Sequence, residues 1–395
     1  MATTRTVIVA GAGIGGLTAA LALAAKGFRV VILEKAERLE EAGAGLQLSP
    51  NASRILIELG LRERLGTRAL VPEAISIMSA RSGGEIARLP LGEDAGFRAG
   101  APYWVLHRAD LQAALLEAVG EHPDIEVRLG WAFEDVVTHA RGLTVSRRQG
   151  ATLEQEQALA LIGADGVRSA VRQRLFPQTQ PQFSGLIAWR GAFDSSRLPG
   201  ADGANRVQLW MGANAHLVAY PMSGARQINV VAILRGDVAY GSGDTAELNQ
   251  AFAPRRWPEP VRSMIGAVGS WRQWPLFTVS AAGAWSSGPI ALLGDAAHAM
   301  LPFAAQGAGM AIEDAAVLAK CLAGCADDPA AIPGALQRYT GLRRARVARV
   351  QRTAERNGNI YHLTGAAALA RDLFIRSIGA ERMLARQRWI YDWQA

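Results

Sequence analysis

"RTVIVAGAGIGGLTAALALAAKGFRVVILEK", residues 5–35, is the stretch that decides the fold. It opens with a short β-branched apolar run, which is typical of a buried parallel strand. The chain then turns through Gly11, Gly13 and Gly16 in the G-x-G-x-x-G spacing. A helix-like run and a second strand follow, and Glu34 closes that strand. The order strand, glycine turn, helix, strand predicts a Rossmann-like unit that binds a nucleotide.

The glycines and the acid have separate roles in such a unit. Gly11 permits the tight turn, Gly13 lets the backbone approach a pyrophosphate, and Gly16 lets the helix pack closely on the strand. The free N–H groups at the helix start favour phosphate, and Glu34 can accept from ribose hydroxyls, with Lys35 beside it as a further candidate contact. The unit alone does not separate FAD from NAD, although an acid at this place disfavours a 2′-phosphate. The alternative is a glycine-rich turn without a ligand.

Two later segments repeat the pattern of a strand that ends at a glycine and an acid. The first, "LALIGADGVRSAVRQRL" (159–175), turns at Asp165, and the second, "PIALLGDAAHAMLPFAAQGAGMAIEDA" (289–315), turns at Asp295. Three strand ends of this composition suit one long dinucleotide that touches several of them. Domains that bind only NAD do not usually need the later two segments, so the pattern favours FAD.

Length and composition set the broad class. The chain has 395 residues, which suggests two or three domains, and 50% of them are hydrophobic, which suffices for large cores. No apolar run reaches the roughly 18 residues of a membrane span, and the N-terminus lacks a signal-peptide pattern, so we expect a cytoplasmic protein. Cys321 and Cys325 are too few for a zinc site, so we expect reduced thiols and no metal centre.

The net charge of +7 comes largely from the C-terminal part, where arginines from Arg338 onward outnumber acidic residues. "RRARVARVQRTAER" (343–356) sets Val347, Val350 and Gln351 on one helical stripe and surrounds it with arginine. We interpret this run as an amphipathic helix that is solvated or faces a dimer partner. A nucleic-acid surface is the alternative, but no basic–aromatic interleaving supports it. We therefore expect a monomer or homodimer without a nucleic-acid partner.

The motifs together resemble those of a known family. "GAGIGG" with Glu34, "GADGVRSAVR" and "GDAAHAMLPFAAQGAGMAIEDA" occur in the order found in class A, single-component FAD monooxygenases. Further matches are "GAGLQLSPNASRIL" (43–56), "HRADL" (107–111), "QLWMGANAHLVAYP" (208–221) and the terminal "RWIYDW". The chain most resembles the branch of salicylate hydroxylase and 3-hydroxybenzoate 6-hydroxylase. The resemblance implies a monooxygenase that hydroxylates an aromatic acid with NADH or NADPH and O₂, through a C4a-hydroperoxyflavin.

The resemblance also implies cofactor contacts. Asp295 corresponds to an acid that bonds the ribityl chain of FAD, a neutral hydroxylated group that needs no cation. Residues 307–309 would begin a helix whose N-terminus points at the N1/C2=O edge of the isoalloxazine, where reduced flavin is anionic. Arg108 resembles a family arginine near the pyrophosphate and ribityl chain, the alternative being a surface arginine. The implied FAD contacts beyond the first motif are Gly45, Arg108, Asp165, Asp295, Gly307, Ala308 and Gly309.

We predict an α/β fold with a second, mixed β-sheet domain and C-terminal helices. The Rossmann-like FAD-binding domain would be discontinuous and comprise residues 1–72, 101–176 and 280–330. Residues 73–100 and 177–279 contain a hairpin-like pattern and alternating runs, which predict the sheet domain that holds the substrate. Residues 331–395 would form a helical region packed across the FAD-binding domain.

On the substrate side, His216 and Tyr220 are four residues apart in "HLVAYP", so a strand would put both on one face. The resemblance turns that face toward the substrate ring, where a neutral histidine can take a phenolic proton near pH 7. The alternative is a core histidine beside a tyrosine. His298, one helical turn after Asp295, is a second catalytic candidate or a structural residue. Gln47 stands where the family's hydroxynicotinate enzyme has histidine, which favours a benzenoid substrate.

Some interpretations stay open in the sequence. Arg190 and Arg235 could meet a substrate carboxylate or be structural. No second NAD domain is evident, so NAD(P)H would bind transiently. The functional alternatives are another oxygenase on this fold, such as an epoxidase or ubiquinone-type hydroxylase, a flavin redox sensor, and an NAD-dependent dehydrogenase without bound flavin. A halogenase is disfavoured because "IAWRGAFD" (187–194) replaces the W-x-W-x-I-P signature.

Overall fold

The structure, a computed structural model, describes residues 5–39, 45–91, 100–198, 205–238, 240–242 and 245–395. Residues 43–44 of the matched segment 43–56 and residues 92–99 and 199–204 of the predicted sheet domain lie outside these ranges. The strands of the described residues are, in chain order, β1 (Thr6–Ala10), β2 (Arg29–Glu34), β3 (Gly45–Leu48), β4 (Ala74–Ser79), β5 (Glu85–Pro90), β6 (Trp104–His107), β7 (Ile125–Leu129), β8 (Ala132–His139), β9 (Gly142–Gln149), β10 (Thr152–Ala158), β11 (Ala160–Gly163), β12 (Gln182–Asp194), β13 (Arg206–Gly212), β14 (Ala215–Met222), β15 (Gln227–Arg235), β16 (Gly241–Ser242), β17 (Arg272–Thr278), β18 (Ser286–Ser287) and β19 (Ile290–Leu292).

The helices alternate with these strands and then dominate the C-terminal part. They are α1 (Ile14–Ala24), α2 (Pro50–Glu58), α3 (Arg62–Gly66), α4 (Arg108–Gly120), α5 (Ala170–Leu175), α6 (Thr245–Ala251), α7 (Glu259–Ala267), α8 (Asp295–His298), α9 (Gly307–Leu322), α10 (Ile332–Tyr361), α11 (Gly365–Ile378), α12 (Ala380–Ala385) and α13 (Arg388–Tyr391). Short 3-10 turns cover Ser195–Arg197, Pro302–Ala304 and Pro329–Ala331.

The first sheet has the order β18-β19-β11-β1-β2-β7 and is parallel except for the β18–β19 edge pair. All five residues of β1 are buried, as a central parallel strand requires. Because β19, β11 and β1 are neighbours, the turns after them, which carry the three sequence motifs, meet at one edge of the sheet. The predicted Rossmann-like arrangement is therefore confirmed.

The first glycine turn is as tight as its sequence predicts. Gly11 has φ +107°, and a Cβ there would lie 2.5 Å from the carbonyl oxygen of Ala164. A Cβ on Gly16 would lie 2.0 Å from the carbonyl oxygen of Gly11. Only glycine fits both places, so α1 can begin directly against β1.

The second sheet has eight strands in the order β16-β17-β12-β15-β14-β13-β4-β5 and is mixed, since β13 pairs with β4 in parallel and the other pairs are antiparallel. One face packs on α6 and α7 through a core that contains Trp189, Trp210, Phe252 and Trp257. The opposite face lines a large cavity. The mixed sheet predicted for this part of the chain is present, including the hairpin of β4 and β5.

Two smaller sheets complete the strand pairing. Strands β8, β9 and β10 form an antiparallel sheet, and β3 pairs with β6. The six-stranded and eight-stranded sheets draw their strands from the residue ranges predicted for the two domains. The domain boundaries themselves remain a proposal.

The long helix α10 has the amphipathic character that its sequence predicts. Val347 and Val350 are fully buried, and the Gln351 side chain donates to the carbonyl of Val279 at 2.8 Å. The stripe therefore packs on the rest of the chain. Among the described helices, none is long and apolar enough to cross a membrane. Both cysteines are free thiols, and Cys325 lies beyond the end of α9.

The C-terminal segment is fixed to α10 by cation–π contacts and hydrogen bonds. The Arg343 guanidinium lies 5.0 Å from the Trp393 ring centre and that of Arg346 lies 4.7 Å from it. Arg346 also donates to the carbonyl of Trp389 at 2.8 Å. These contacts bring the last helices of the chain to the cavity wall.

Candidate active site

One continuous cavity of about 1590 Å³ is lined by both large sheets and by the C-terminal helices. Single small-molecule pockets usually have about 300–1,000 Å³. This cavity is large enough for a dinucleotide cofactor together with a second ligand. Its wall contains the predicted residues Gly11, Gly13, Glu34, Lys35, Gly45, Gln47, Arg108, Asp165, His216, Tyr220, Asp295, Gly307 and Ala308.

The first glycine loop presents an open backbone to the cavity. Gly13 has no atom within 4 Å of the position of a Cβ, in contrast to the crowded Gly11 and Gly16. The Glu34 carboxylate accepts from the backbone N–H groups of Ala12 and Ala36, both at 2.9 Å. Glu34 thus fixes the loop and still faces the cavity, because a carboxylate has about four acceptor sites.

The two later acids lie at the ends of neighbouring strands. One oxygen of Asp165 accepts from the N–H of Ala170 at 2.7 Å, while the other, Oδ1, is buried and has no partner among the described residues. Burial raises the pKa of the Asp165 carboxyl above its usual value. Asp295 begins α8 after Gly294, whose φ is +60°, and its side chain is exposed at the cavity wall. Both acids can therefore accept hydrogen bonds from hydroxyl groups of a bound cofactor.

The start of α9 forms a further part of the cofactor wall. Gln306 is buried, donates to Ser49 Oγ at 2.8 Å and accepts from Asn51 at 3.1 Å, and Gly307 and Ala308 line the cavity. Gly309 does not line it. A Cβ on Gly309 would lie 3.0 Å from the Gln306 side chain and 3.5 Å from that of Asn51, so this glycine permits packing on α2.

These features fit the FAD that the motifs predict. An open glycine backbone and a helix N-terminus suit phosphate, and the partnerless oxygen of Asp165 and the carboxylate of Asp295 suit hydroxyl donors. The Gly307 end of α9 offers free N–H groups to an anionic ring edge.

His216 and Tyr220 project from one face of β14 into the cavity, as the strand spacing predicts. The Nδ1 atom of His216 lies 2.7 Å from Nε2 of His362, and its ring packs edge-on against Phe303 and Tyr361. Burial, and secondly His362, lower the pKa of His216 well below its usual value, so His216 is neutral near pH 7. Burial raises the pKa of Tyr220, so its hydroxyl stays protonated.

Gln47 and Gly45 lie on β3 and line the cavity. Gln47 accepts a hydrogen bond of 2.7 Å from the Tyr103 hydroxyl, which leaves its amide N–H group for a ligand. Gly45 donates to Asn229 at 2.9 Å, and a Cβ on Gly45 would lie 2.6 Å from the Tyr220 hydroxyl. Gly45 therefore gives Tyr220 its place in the wall.

Arg190 and Arg235, the two candidate ligands of a substrate carboxylate, differ in their position relative to the cavity. Arg190 lines the cavity, and its Nε is buried without a partner among the described residues. Burial lowers the pKa of Arg190, but from so high a value that the side chain stays a cation. Arg235 is exposed at the end of β15 and is not part of the described cavity wall. Arg108 is the first residue of α4 and lines the cavity.

His298 does not reach the cavity, contrary to its place among the catalytic candidates. The ring is buried, its Nε2 lies 2.5 Å from Asp314, and it stacks 4.8 Å from the Trp285 ring. Asp314 also accepts from Arg343 at 2.6 Å. The first turn after Asp295 points inward, so the His298 ring lies in a buried cluster with Asp314 and Arg343, away from the described cavity wall.

The sequence alone did not indicate several wall residues that come from the C-terminal part. Tyr361 on α10 and Tyr391 on α13 line the cavity, and Tyr391 packs 6.1 Å from Tyr103. Arg349, Arg352 and Arg356 recur at helical spacing on the wall. Their spacing was visible in the sequence, but only tertiary packing shows which side of α10 faces the cavity.

Comparisons with known proteins agree with this geometry. A family model described as "FAD binding domain" matches residues 4–354. The chain is 35% identical to a 3-hydroxybenzoate 6-hydroxylase of Polaromonas naphthalenivorans (strain CJ2), over 98% of this chain and 96% of that protein. It is 37% identical to the 3-amino-4-hydroxybenzoate 2-monooxygenase PtmB3 of Streptomyces platensis, again over 98% and 96%.

A solved structure titled "Salicylate hydroxylase substrate complex" superimposes with a TM-score of 0.83 and 24% identity, covering 99% of this chain and 96% of that one. At that identity the likeness concerns the fold. The two curated relatives match 98% of this chain at 35% and 37% identity. The chain therefore belongs to the FAD-binding-domain family, among the FAD-dependent monooxygenases that hydroxylate aromatic compounds.

Proposed function

We propose that this protein hydroxylates a phenolic aromatic acid with NADH or NADPH and O₂. The observation that carries the proposal is that one cavity joins the cofactor wall, with Gly13, Asp165 and Asp295, to a second wall with His216 and Arg190. Bound FAD supplies the electron transfer and oxygen chemistry that no side chain provides. Relatives named for hydroxybenzoate substrates support this substrate class.

Arg190 is proposed to bind the anionic group of the substrate. Its guanidinium lies 5.8 Å from the Trp274 ring centre, and its Nε has no partner among the described residues. A buried guanidinium N–H without a partner is costly, and a carboxylate can supply two acceptor oxygens to the planar fork of Arg190. This arrangement selects an acid over a neutral phenol.

His216 is proposed as the base that takes the phenolic proton. A neutral imidazole has one free lone pair, and Nδ1 already meets His362 at 2.7 Å, so Nε2 is the nitrogen left for a ligand. Tyr220, on the same face, stays protonated and can donate to the phenolate oxygen. Loss of the proton makes the ring electron-rich, which electrophilic oxygen transfer requires. Gln47, on the β3–β6 strand pair, is proposed to orient the aromatic ring of the substrate.

Apart from Arg190, His216 and Tyr220, the cavity face of the eight-stranded sheet is apolar. The residues on the cavity face of the eight-stranded sheet include Ile77, Leu209, Met211, Val218, Val231 and Ile233. Such a surface limits water near the reacting atoms and favours transfer of oxygen to the substrate over its loss as H₂O₂. A preference for NADH over NADPH, a cytoplasmic location and a monomer or homodimer remain predictions.

The test is NADH oxidation by the purified holoprotein with a panel of hydroxylated benzoates, with H₂O₂ and products measured together. We expect at least one phenolic acid to accelerate NADH loss and to yield a hydroxylated product. Bound FAD without stimulation by any aromatic acid would contradict the proposal and favour an epoxidase-type oxygenase or a redox sensor. A protein that binds no FAD would contradict the cofactor assignment as well.

A further inference from the structure

We propose that His362 relays to solvent the proton that a phenolic substrate gives to His216. The inference rests on the proposed function, because it needs a phenol that ionises in the cavity. His362 does not line the described cavity wall and acts only through His216, so it is a positioning residue. No sequence motif points to it, since it lies 146 positions from its partner.

The two imidazole rings connect the cavity to the protein exterior. His216 is 2% exposed and faces the cavity, whereas His362, directly behind it at the end of α10, is only half-buried. Their Nδ1 and Nε2 atoms are 2.7 Å apart, which is a hydrogen bond. His362 is held in place because its carbonyl accepts from the N–H of Asn214, at the turn between β13 and β14, at 3.3 Å.

The surroundings favour passage of a proton over its storage. Phe303 and the neutral Tyr361 pack against His216, and the cation Arg235, on β15, acts electrostatically on His362. Among the described residues no carboxylate pairs with either ring, in contrast to His298, which meets Asp314 at 2.5 Å. Burial, with the neighbouring charges, lowers the pKa of both rings, that of His362 to about 4. A proton received by His216 therefore has to move on.

The transfer balances without any further reactant. The phenol O–H bond breaks and its proton forms an N–H bond at Nε2 of His216. The proton on Nδ1 of His216 passes to Nε2 of His362, and the proton on Nδ1 of His362 passes to water. Both rings end neutral in their other tautomers, the phenolate remains in the cavity near the cation Arg190, and one proton enters solvent. The reverse sequence returns a proton to the product.

The experiment measures ionisation of bound 3-hydroxybenzoate in the oxidised holoenzyme. Phenolate absorbance is followed by stopped flow after a pH jump, without NADH. We expect His362→Gln, whose amide can keep a hydrogen bond but cannot change tautomer, to slow ionisation on the order of 10²-fold. The affinity for the ligand should stay within about twofold, because His362 does not touch the ligand. In His362→Ala, added imidazole should restore the rate.

His107→Gln is the matched control. The Nε2 atom of His107 lies 2.9 Å from the side-chain oxygen of Gln227, and neither residue lines the described cavity wall. It should ionise the ligand at the wild-type rate. Ionisation in His362→Gln at the wild-type rate would overturn the inference. If the variants do not fold, the ionisation rate of the ligand in the wild type is measured in H₂O/D₂O mixtures. A relay of several protons predicts that this rate depends on the deuterium fraction along a curve. A linear dependence would indicate a single proton transfer and overturn the inference.

The two hypotheses fail in different ways. A wild type that binds no phenolic acid removes the proposed function and with it the inference. A wild type that hydroxylates its substrate, beside a His362→Gln variant that ionises it normally, removes the relay alone.

Discussion

The carboxylate of Asp314, on α9, accepts a hydrogen bond of 3.0 Å from the backbone N–H of Gly294. The same side chain meets His298 at 2.5 Å and Arg343 at 2.6 Å, and all three side chains are buried. Asp314 thereby connects the turn that carries Asp295 to the helix that carries Gly307. The geometry of the cofactor wall depends on an ionic cluster that does not itself line the described wall.

Asp314→Asn should destabilise the protein by about 3 kcal/mol, because it leaves buried cationic character partly uncompensated. Burial opposes the ionisation of Asp314, but its contacts with His298 and Arg343 outweigh burial and lower the pKa of Asp314 from 3.8 to about 2. Because the folded pKa lies below the unfolded one, this stability is present above pH 4 and is lost as pH falls from about 4 to about 2. Linkage assigns it on the order of 2 kcal/mol.

Urea unfolding at pH 7 and at several acidic pH values checks this prediction. Asp327→Asn is the control, because Asp327 pairs with Arg5 on an exposed surface. An Asp314→Asn variant as stable as the Asp327→Asn control would show that the cluster contributes nothing to stability.

Alanine at two glycines of the first loop should separate cofactor binding from folding. At Gly13 a Cβ meets no atom within 4 Å and the backbone is extended, so Gly13→Ala should change the free energy of unfolding of the apoprotein by less than about 1 kcal/mol. The methyl group would instead occupy space proposed for the pyrophosphate and weaken FAD binding by at least about tenfold.

Gly16→Ala is the opposite case, because its Cβ would lie 2.0 Å from the Gly11 carbonyl oxygen. It should destabilise the apoprotein itself by at least about 1–3 kcal/mol. Flavin fluorescence titration gives the affinity, and thermal unfolding of the apoprotein gives the stability. A Gly13→Ala protein with wild-type affinity for FAD would place the pyrophosphate elsewhere.

Arg190→Gln should raise KM for a hydroxybenzoate by about 10- to 100-fold, because it removes a charge-assisted hydrogen bond to the carboxylate. The same variant should leave KM for the corresponding phenol, which has no carboxylate, nearly unchanged. Arg272→Gln is the matched control. Arg272 lies opposite Arg190 in the backbone register of β12 and β17, but it is exposed and lies off the described cavity wall. Equal effects on acid and phenol would refute the assignment of a carboxylate to Arg190.

Exposed arginines on α10 should speed the arrival of an anionic substrate. Arg352 and Arg356 line the cavity and are exposed. The value of kcat/KM should therefore fall as ionic strength rises, because salt screens exposed charges. The double variant Arg352→Gln/Arg356→Gln should flatten this dependence, whereas Arg255→Gln/Arg256→Gln, which alters two exposed arginines off the described wall, should not. The same slope in all three proteins would contradict this role.

The sequence predicted the cofactor half of the site more fully than the substrate half, for a physical reason. These residues act locally: Gly11, Asp165 and Asp295 each follow the end of a strand, and Gly16 lies in the first turn of α1. Spacing along the chain is therefore enough to predict them. The α/β class, the mixed second sheet and the shared face of His216 and Tyr220 follow from the same short-range periodicity.

The structure departs from the sequence-based expectations where tertiary packing decides the position of a side chain. His298 follows Asp295 by three positions, but the turn of α8 points its ring at Asp314. Gly309 lies in the predicted helix start, yet it faces α2. His362 contacts His216 across 146 positions, and no pattern within either segment encodes that contact.

The most direct test of the central claim is turnover under ¹⁸O₂ with NADH and the most stimulating hydroxybenzoate of the panel, followed by mass spectrometry of the product. The account predicts one ¹⁸O atom in each molecule of hydroxylated product, and loss of that product with growth of H₂O₂ in His216→Ala. Product that carries oxygen from water, or NADH oxidation that yields only H₂O₂ with every aromatic acid, would contradict it.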